Sequence, residues 1–349
     1  MKKTLIALAT LAAFSGAAFA QSSVTLSGKF GYAYTDAKTA AGVKTAGFQA
    51  TDGDLVAAAV EDLGGGLKAS ASLALKLRGR GAQASVVDGR DATIGLSGAF
   101  GSVTAGAIEA GNGIMGLGQA GAPVIGLDGK VLDAASNVDI VSYTLPTLAT
   151  GLTLKASVID GVGDVARTKG NISVFAVGYT AGALNLSADF SDYSKYADVA
   201  AVNGSYIAAG ATTLTNYAAA DTLPTGATVS AAAVAAGKAV DNRTRVSASY
   251  DLGVAKVGVG YQVKSYVTAA NKDNKQMTYG VSVPMGALTL GAVFASSKDD
   301  GATTKTTGNE FGVNYAFSQR TSLQVARASW KKTGAAADTL LRARLMHAF

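Results

Sequence analysis

Hydrophobic and polar residues alternate one by one along most of this chain. Leu184, Leu186, Ala188 and Phe190 share one parity, and Asn185, Ser187, Asp189 and Ser191 hold the other. Val257, Val259, Tyr261 and Val263 alternate in the same way with Lys256, Gly258, Gly260, Gln262 and Lys264. Successive side chains of an extended strand point to opposite faces, so a period of two predicts β-strands bordered by two different solvents. The pattern divides the chain into strands at 23–35, 53–62, 67–80, 90–99, 102–109, 137–146, 150–160 and 170–180, followed by 183–194, 241–251, 254–266, 276–284, 286–296, 308–317, 320–331 and 339–349.

Connections between these strands alternate in length. Short ones fall at 62–66, 100–101, 146–150, 181–182, 252–253, 284–286 and 318–319, and longer segments rich in Gly, Ala, Asp and Lys lie between them. Tight turns at one rim and loops at the other are what an up-and-down barrel produces. A β-sandwich would need inward positions that fill a core, whereas here the polar parity carries charged or very small residues; no repeat of a solenoid is visible either. A tilted strand crosses a bilayer in about 9–11 residues, which these runs satisfy. Lipid offers no partner to N–H or C=O groups, so such a sheet must close on itself. The expected fold is therefore an all-β transmembrane antiparallel barrel of about sixteen strands. Phe30, Tyr32 and Tyr34, with Tyr143, Tyr250, Tyr266, Phe294, Tyr315, Phe317, Trp330 and Phe349 toward strand ends, read as an interfacial aromatic girdle. Two connections exceed hairpin length: 110–136, which is Gly-rich, and 195–240, Ala-rich with a short helix predicted at 229–236.

The first twenty residues stand apart. Lys2 and Lys3 precede an apolar run from Leu5 to Phe14, and Ala18-Phe19-Ala20 is a small-x-small site, which together predict a removable secretory leader over 1–20 and a single barrel domain over 21–349. Without Lys2 and Lys3, 28 basic residues face 24 acidic ones, a balance too mild to point to nucleic acid. The chain has no Cys and one His, which excludes disulfide frameworks and thiolate metal sites and leaves almost no material for metal, cofactor or Ser-His chemistry. His347 stands on the lipid parity of the last strand, so an enzymatic barrel lacks its base. A structural or adhesive barrel acting through 195–240 is the other reading from a different class.

Several stretches resemble the Gram-negative porins of the β-proteobacterial type. They are Glu61-Asp62-Leu63-Gly64-Gly65-Gly66-Leu67-Lys68-Ala69; Ile94-Gly95-Leu96-Ser97-Gly98 leading to Phe100-Gly101-Ser102-Val103-Thr104; Ser249-Tyr250-Asp251-Leu252-Gly253-Val254-Ala255-Lys256; Tyr279-Gly280-Val281-Ser282-Val283-Pro284-Met285-Gly286 with Leu288-Thr289-Leu290; Ser318-Gln319-Arg320-Thr321; and the final Leu345-Met346-His347-Ala348-Phe349. The resemblance implies a homotrimeric outer-membrane diffusion channel for small hydrophilic solutes and ions, exported across the inner membrane. It implies a third loop folded into the lumen, and a terminal Phe349 read by the barrel-assembly machinery. One departure is visible: the family usually carries an Arg after the Val-Thr-x-Gly of its fifth strand, and Ala107 stands here.

Parity then assigns the pore wall. Leu67, Ala69, Ala71, Leu73, Leu75 and Leu77 mark the lipid face, so Lys76, Arg78 and Arg80 are expected inside as a basic ladder, joined by Arg245, Lys256, Lys264, Arg342 and Arg344. Cations on the lipid face near the midplane would cost about 2–4 kcal/mol each. Glu109, Asp128 and Asp133, in or beside the third loop, are expected to oppose them across the constriction and set a transverse field with a moderate anion preference. Arg90 and Arg327 break the scheme, since each shares parity with apolar neighbours.

Overall fold

A computed structural model describes residues 23–77, 87–160, 171–193, 203–218, 221–231, 239–268 and 270–349. The leader expected at 1–20 and the expected pore residues Arg78 and Arg80 lie outside the described residues.

Alternation becomes strand wherever it was clean. The elements are β1 (Ser23–Lys38), β2 (Lys44–Gly64), β3 (Leu67–Leu77), β4 (Val87–Gly98), β5 (Gly101–Ala110), the one-turn helix α1 (Met115–Gly118), β6 (Ser136–Thr144), β7 (Leu152–Asp160), β8 (Ile172–Ala181) and β9 (Leu184–Asp192). Then come β10 (Gly204–Ile207), β11 (Leu214–Tyr217), β12 (Thr228–Ala231), β13 (Val240–Asp251), β14 (Lys256–Tyr266), β15 (Asn274–Met285), β16 (Leu288–Asp299), β17 (Thr306–Ala316), β18 (Thr321–Lys332) and β19 (Asp338–Ala348). Sixteen of them form one closed antiparallel barrel, each strand beside its neighbours in the chain, with β13 following β9 and β19 sealing against β1. The short strands β10, β11 and β12 make a separate three-stranded sheet within the long connection. Val229, Ser230 and Ala231 are therefore extended, not helical as the Ala-rich composition suggested; the rest of that expected helix, 232–236, falls outside the described residues.

The seam is tight. Gly28 and Phe349 exchange two backbone hydrogen bonds of 3.0 Å, and a Cβ on Gly28 would stand 2.5 Å from the Phe349 ring. Among the tight turns, Gly101 needs its freedom: its φ is +99°, and a Cβ there would meet the Thr144 carbonyl oxygen at 2.2 Å.

The two faces separate as parity requires. Leu73 is 63% exposed and Ile94 66%, both on the outer surface, and Leu75, Val141, Phe175, Val259 and Tyr279 share that side. The expected girdle needs two corrections. Trp330 follows Gln324, Ala326 and Ala328 on the inner parity of β18, and Tyr266 follows Gln262 and Lys264 on that of β14. Their positions near strand ends fit a girdle, but their parity places them inside.

Connection 111–135 does not leave the barrel. Ile114, Leu127, Val131 and Leu132 are buried against Val293 and Ala295 of the inner wall, with Met115, Ala122, Val124 and Trp330 packed around them. Burying an Ile or Leu side chain contributes about 1.5–3 kcal/mol, so this cluster is a strong anchor. The wall is carved to receive it. Gly258, Gly260, Gly280, Gly291, Gly308 and Gly312 stand on the inner parity of four adjacent strands, forming a groove without side chains. A Cβ on Gly260 would lie 2.4 Å from the Ile114 carbonyl oxygen, and one on Gly312 only 1.6 Å from that of Pro123.

Candidate pore constriction

The inward loop divides the lumen into a filled side and an ionic side. On the filled side, polar contacts fix the loop. Glu310 is fully buried and accepts the Gly126 N–H at 3.0 Å, the Lys130 ammonium donates to the Gly126 carbonyl oxygen at 2.7 Å, and Ser282 Oγ donates to Ala120 O at 2.7 Å. Lys130 also stands 5.1 Å from the centre of the Trp330 ring. Burial holds its ammonium below the usual lysine value, against the pull of Glu310 and Asp128.

Asp133, near the loop's end, is held by three side chains of β14 and β15. Lys264 Nζ donates to Oδ1 at 2.7 Å, Gln276 Nε2 to the same oxygen at 2.8 Å and Gln262 Nε2 to Oδ2 at 2.8 Å. Burial alone would raise its carboxyl, but the Lys264 hydrogen bond and charge, with the two amides, hold it below the ordinary 3.8. A depressed carboxyl stabilises the folded state above its unfolded value and loses that contribution as pH falls through the folded one. The mooring therefore persists through pH 4 and fails only in stronger acid. Conductance recorded from pH 7 down to pH 3 should stay flat to about pH 4, whereas Asp133→Asn should already show fluctuating conductance at neutral pH.

On the opposite wall an alternating row of charges crosses from β19 to β5. Arg344 Nη1 meets Asp52 at 2.5 Å and its Nη2 donates to Gln324 at 2.6 Å. Lys29 bridges Asp52 at 3.5 Å and Asp54 at 3.3 Å; Arg90 joins Asp54 at 2.6 Å to Glu109 at 3.6 Å; and Lys76 completes the row, 3.6 Å from Glu109. The Lys29 side chain points inward yet is 40% exposed, so the barrel centre on this side is open to water.

Arg90 reaches this row through a bulge. Leu73 pairs with Ala92 but Leu75 pairs with Gly89, so β4 carries an additional residue opposite Ala74 and the parity of Arg90 is reset inward. Glu109 lies on β5 itself, not in the loop. Its β6 register gives it the parity of outward Ala107, but the β4–β5 ladder ends at Ala92 and Ala107, and its carboxylate meets Lys76 and Arg90.

The other expected residues are placed as follows. Arg245 faces inward, its Nε 2.9 Å from both Asp189 oxygens. Arg342 and Lys256 hold the inner parity of their strands and have no carboxylate within 4 Å among the described residues. Asp128 is exposed on the loop, without an ion pair among the described residues. Asp133 sits beside Lys264 on the filled side, so it faces its own neighbour and not the row across the lumen. Arg327 projects outward between Phe311 and Leu341. The sequence reading missed Lys29, Asp52, Asp54, Lys130, Asp189, Arg243 and Glu310; Arg243, Asp189 and Glu310 were available from parity alone.

A closed sixteen-stranded sheet, apolar outside, lined with ions inside and narrowed by an inward loop, defines a transmembrane channel barrel of the porin class. The chain belongs to the Gram-negative porin family, whose model matches residues 7–334. It is thus an outer-membrane barrel of a family that is not enzymatic. It is 47% identical over 113 residues to outer membrane porin protein 32 of Delftia acidovorans, a match spanning 30% of this chain and 31% of that protein. The fold is shared with an anion-selective porin from Comamonas acidovorans (TM-score 0.67, 22% identity, 94% of this chain and 100% of that one). It is shared equally with in-vitro folded OmpT of Vibrio cholerae in its trimer form (TM-score 0.65, 15% identity, 94% and 99%) and with Salmonella typhi OmpF in complex with daunomycin (TM-score 0.67, 13% identity, 93% and 97%).

Proposed function

We propose that this protein is a diffusion channel for small hydrophilic solutes and ions, trimeric like the Vibrio relative, with a moderate preference for anions. The observation that carries the reading is the charge distribution within the lumen. Asp52, Asp54, Glu109, Asp133 and Asp189 are each matched to a cation, whereas Arg243, Arg342, Lys155 and Lys256 face inward with no carboxylate within 4 Å among the described residues. Asp128 and Glu310 lack an ion pair among the described residues, but four inward cations stand against these two acids, and the resulting positive potential concentrates anions at the narrow zone. Lys76, Arg245, Lys264 and Arg344 then act mainly as partners in ion pairs, and Arg342 and Arg243 as the selective charges. The Delftia and Comamonas relatives support the reading by the kind of protein they are.

Insertion of the purified protein into planar bilayers tests this. Stepwise conductance in KCl is expected, and a reversal potential in a salt gradient whose sign gives chloride the higher permeability. Steps with a cation-selective reversal potential would reject the preference, and absence of steps would reject the channel.

A further inference from the structure

The inner wall has one region that a water-filled pore does not require. Near the loop-bearing rim, Ile108, Val138, Ile140, Ile159, Ile172 and Val174 all face the lumen, in register across β5, β6, β7 and β8: Ile108 pairs with Val138, Ile140 with Ile159, and Ile159 with Ile172. Asp139 and Asp160 pair on the outer side of the same strand ends. This outer pair marks the edge of the hydrocarbon, with Val141, Val158 and Phe175 facing out beside the plate, and lipid does not account for apolar residues that face inward.

This apolar plate forms one side of a recess of about 350 Å³, bounded by the stem of the inward loop at Gly111 and Asn112. Its other side carries Arg243 and Arg245 together with Asp133 and Asp189, and each of these two carboxylates is already held by a cation, Lys264 and Arg245 respectively. Arg243 Nη2 donates to Ser191 Oγ at 3.3 Å and its guanidinium lies 5.7 Å from the Tyr193 ring, which holds it in place. No carboxylate approaches Arg243 within 4 Å among the described residues, and its Nε is buried without a partner; the adjacent Arg245 is instead occupied by Asp189. Lys155 lines the recess and also lacks an ion pair among the described residues. A guanidinium with donors to spare recognises a carboxylate, and a plate of branched side chains recognises an apolar body.

We propose that this recess is a binding subsite for small organic monoanions whose carboxylate is carried on an apolar or aromatic body. The carboxylate engages Arg243, with Lys155 adding charge, and the body covers the plate formed around Ile140 and Ile159. The subsite sits beside the constriction, where Asp133, Arg245 and Gln262 also line the recess, and raises the local concentration of such solutes as they pass. The proposal rests on the channel reading above.

Sodium benzoate and sodium acetate, added separately to protein conducting KCl in planar bilayers, test it. Benzoate should interrupt the current with a half-saturating concentration at least about tenfold below that of acetate, because each buried apolar carbon adds to its hold. Arg243→Gln should weaken the block by both anions, whereas Ile140→Ser with Ile159→Ser should bring benzoate to the acetate level and leave acetate unchanged. Equal block by the two anions in the unaltered protein overturns the subsite, whatever the variants do. Failure to conduct KCl at all would instead overturn the channel reading.

Discussion

A valine at Gly312 should roughly halve the single-channel conductance, and one at Gly260 should do nearly the same. Both glycines lie under the inward loop, where a Cβ would stand 1.6 Å from Pro123 O and 2.4 Å from Ile114 O. Such overlaps cannot be absorbed by a side-chain rotation, because backbone is the obstacle. The strands are held by ladders on both flanks, Gly312 between Gly291 and Ala326, and Gly260 between Ser247 and Thr278. The loop must therefore give way, and the only free direction is toward the open half of the lumen. Conductance follows the remaining cross-section, so a displacement of a few ångström costs about half the current. Gly47→Ala, at a glycine with nothing within 4 Å of its added carbon, should conduct as the parent does. Single-channel recordings in KCl would decide, and unchanged steps in both valine variants would mean that the loop does not rest in the groove.

The second large effect concerns selectivity. Arg342→Glu combined with Arg344→Gln should lower the ratio of chloride to potassium permeability by about tenfold. Arg342 faces the lumen with no carboxylate within 4 Å among the described residues, so its charge is not cancelled locally. Removing Arg344 also releases Asp52, which keeps the Thr51 hydroxyl at 3.0 Å and, as its one cation, Lys29 at 3.5 Å, and the wall gains acidic character a second time. Glutamine at 344 preserves the hydrogen bond to Gln324 and avoids two adjacent carboxylates, so the barrel should still assemble. The reversal potential in a KCl gradient measures the change; an unmoved value would take these arginines out of the narrow zone.

The strands were legible because two solvents impose a period of two, and each expected strand corresponds to one in the barrel. Where one of those solvents is missing, the signal fades. β2 was expected from 53 but begins at Lys44, because its hairpin with β1 continues beyond the region where lipid enforces alternation. Arg90 could not be placed, since the bulge that turns it inward exists only in its pairing with β3. Trp330 was misassigned by position when parity, read from Gln324 and Ala328, would have put it inside. The groove is a subtler loss. Gly258 and Gly260 were visible on the polar parity, but that six glycines from four strands line up is a property of register, which no single segment carries. For the same reason the ion-pair row joining β19, β1, β2, β3, β4 and β5 could not be read, although Lys76 and Arg344 were each assigned to the lumen side.

The seam between β1 and β19 has a consequence for how the molecule comes to exist. Lys29 pairs with Ala348, Phe30 with His347 and Gly31 with Met346, so the cylinder shuts only through contacts between opposite ends of the polypeptide. Until the last strand arrives, every intermediate is an open ribbon with two unsatisfied borders, prone to join another ribbon. Such distant pairing is slow to find by unaided search. Closure is therefore the last event of folding, and the first strand stays without one of its two partners until the final one arrives.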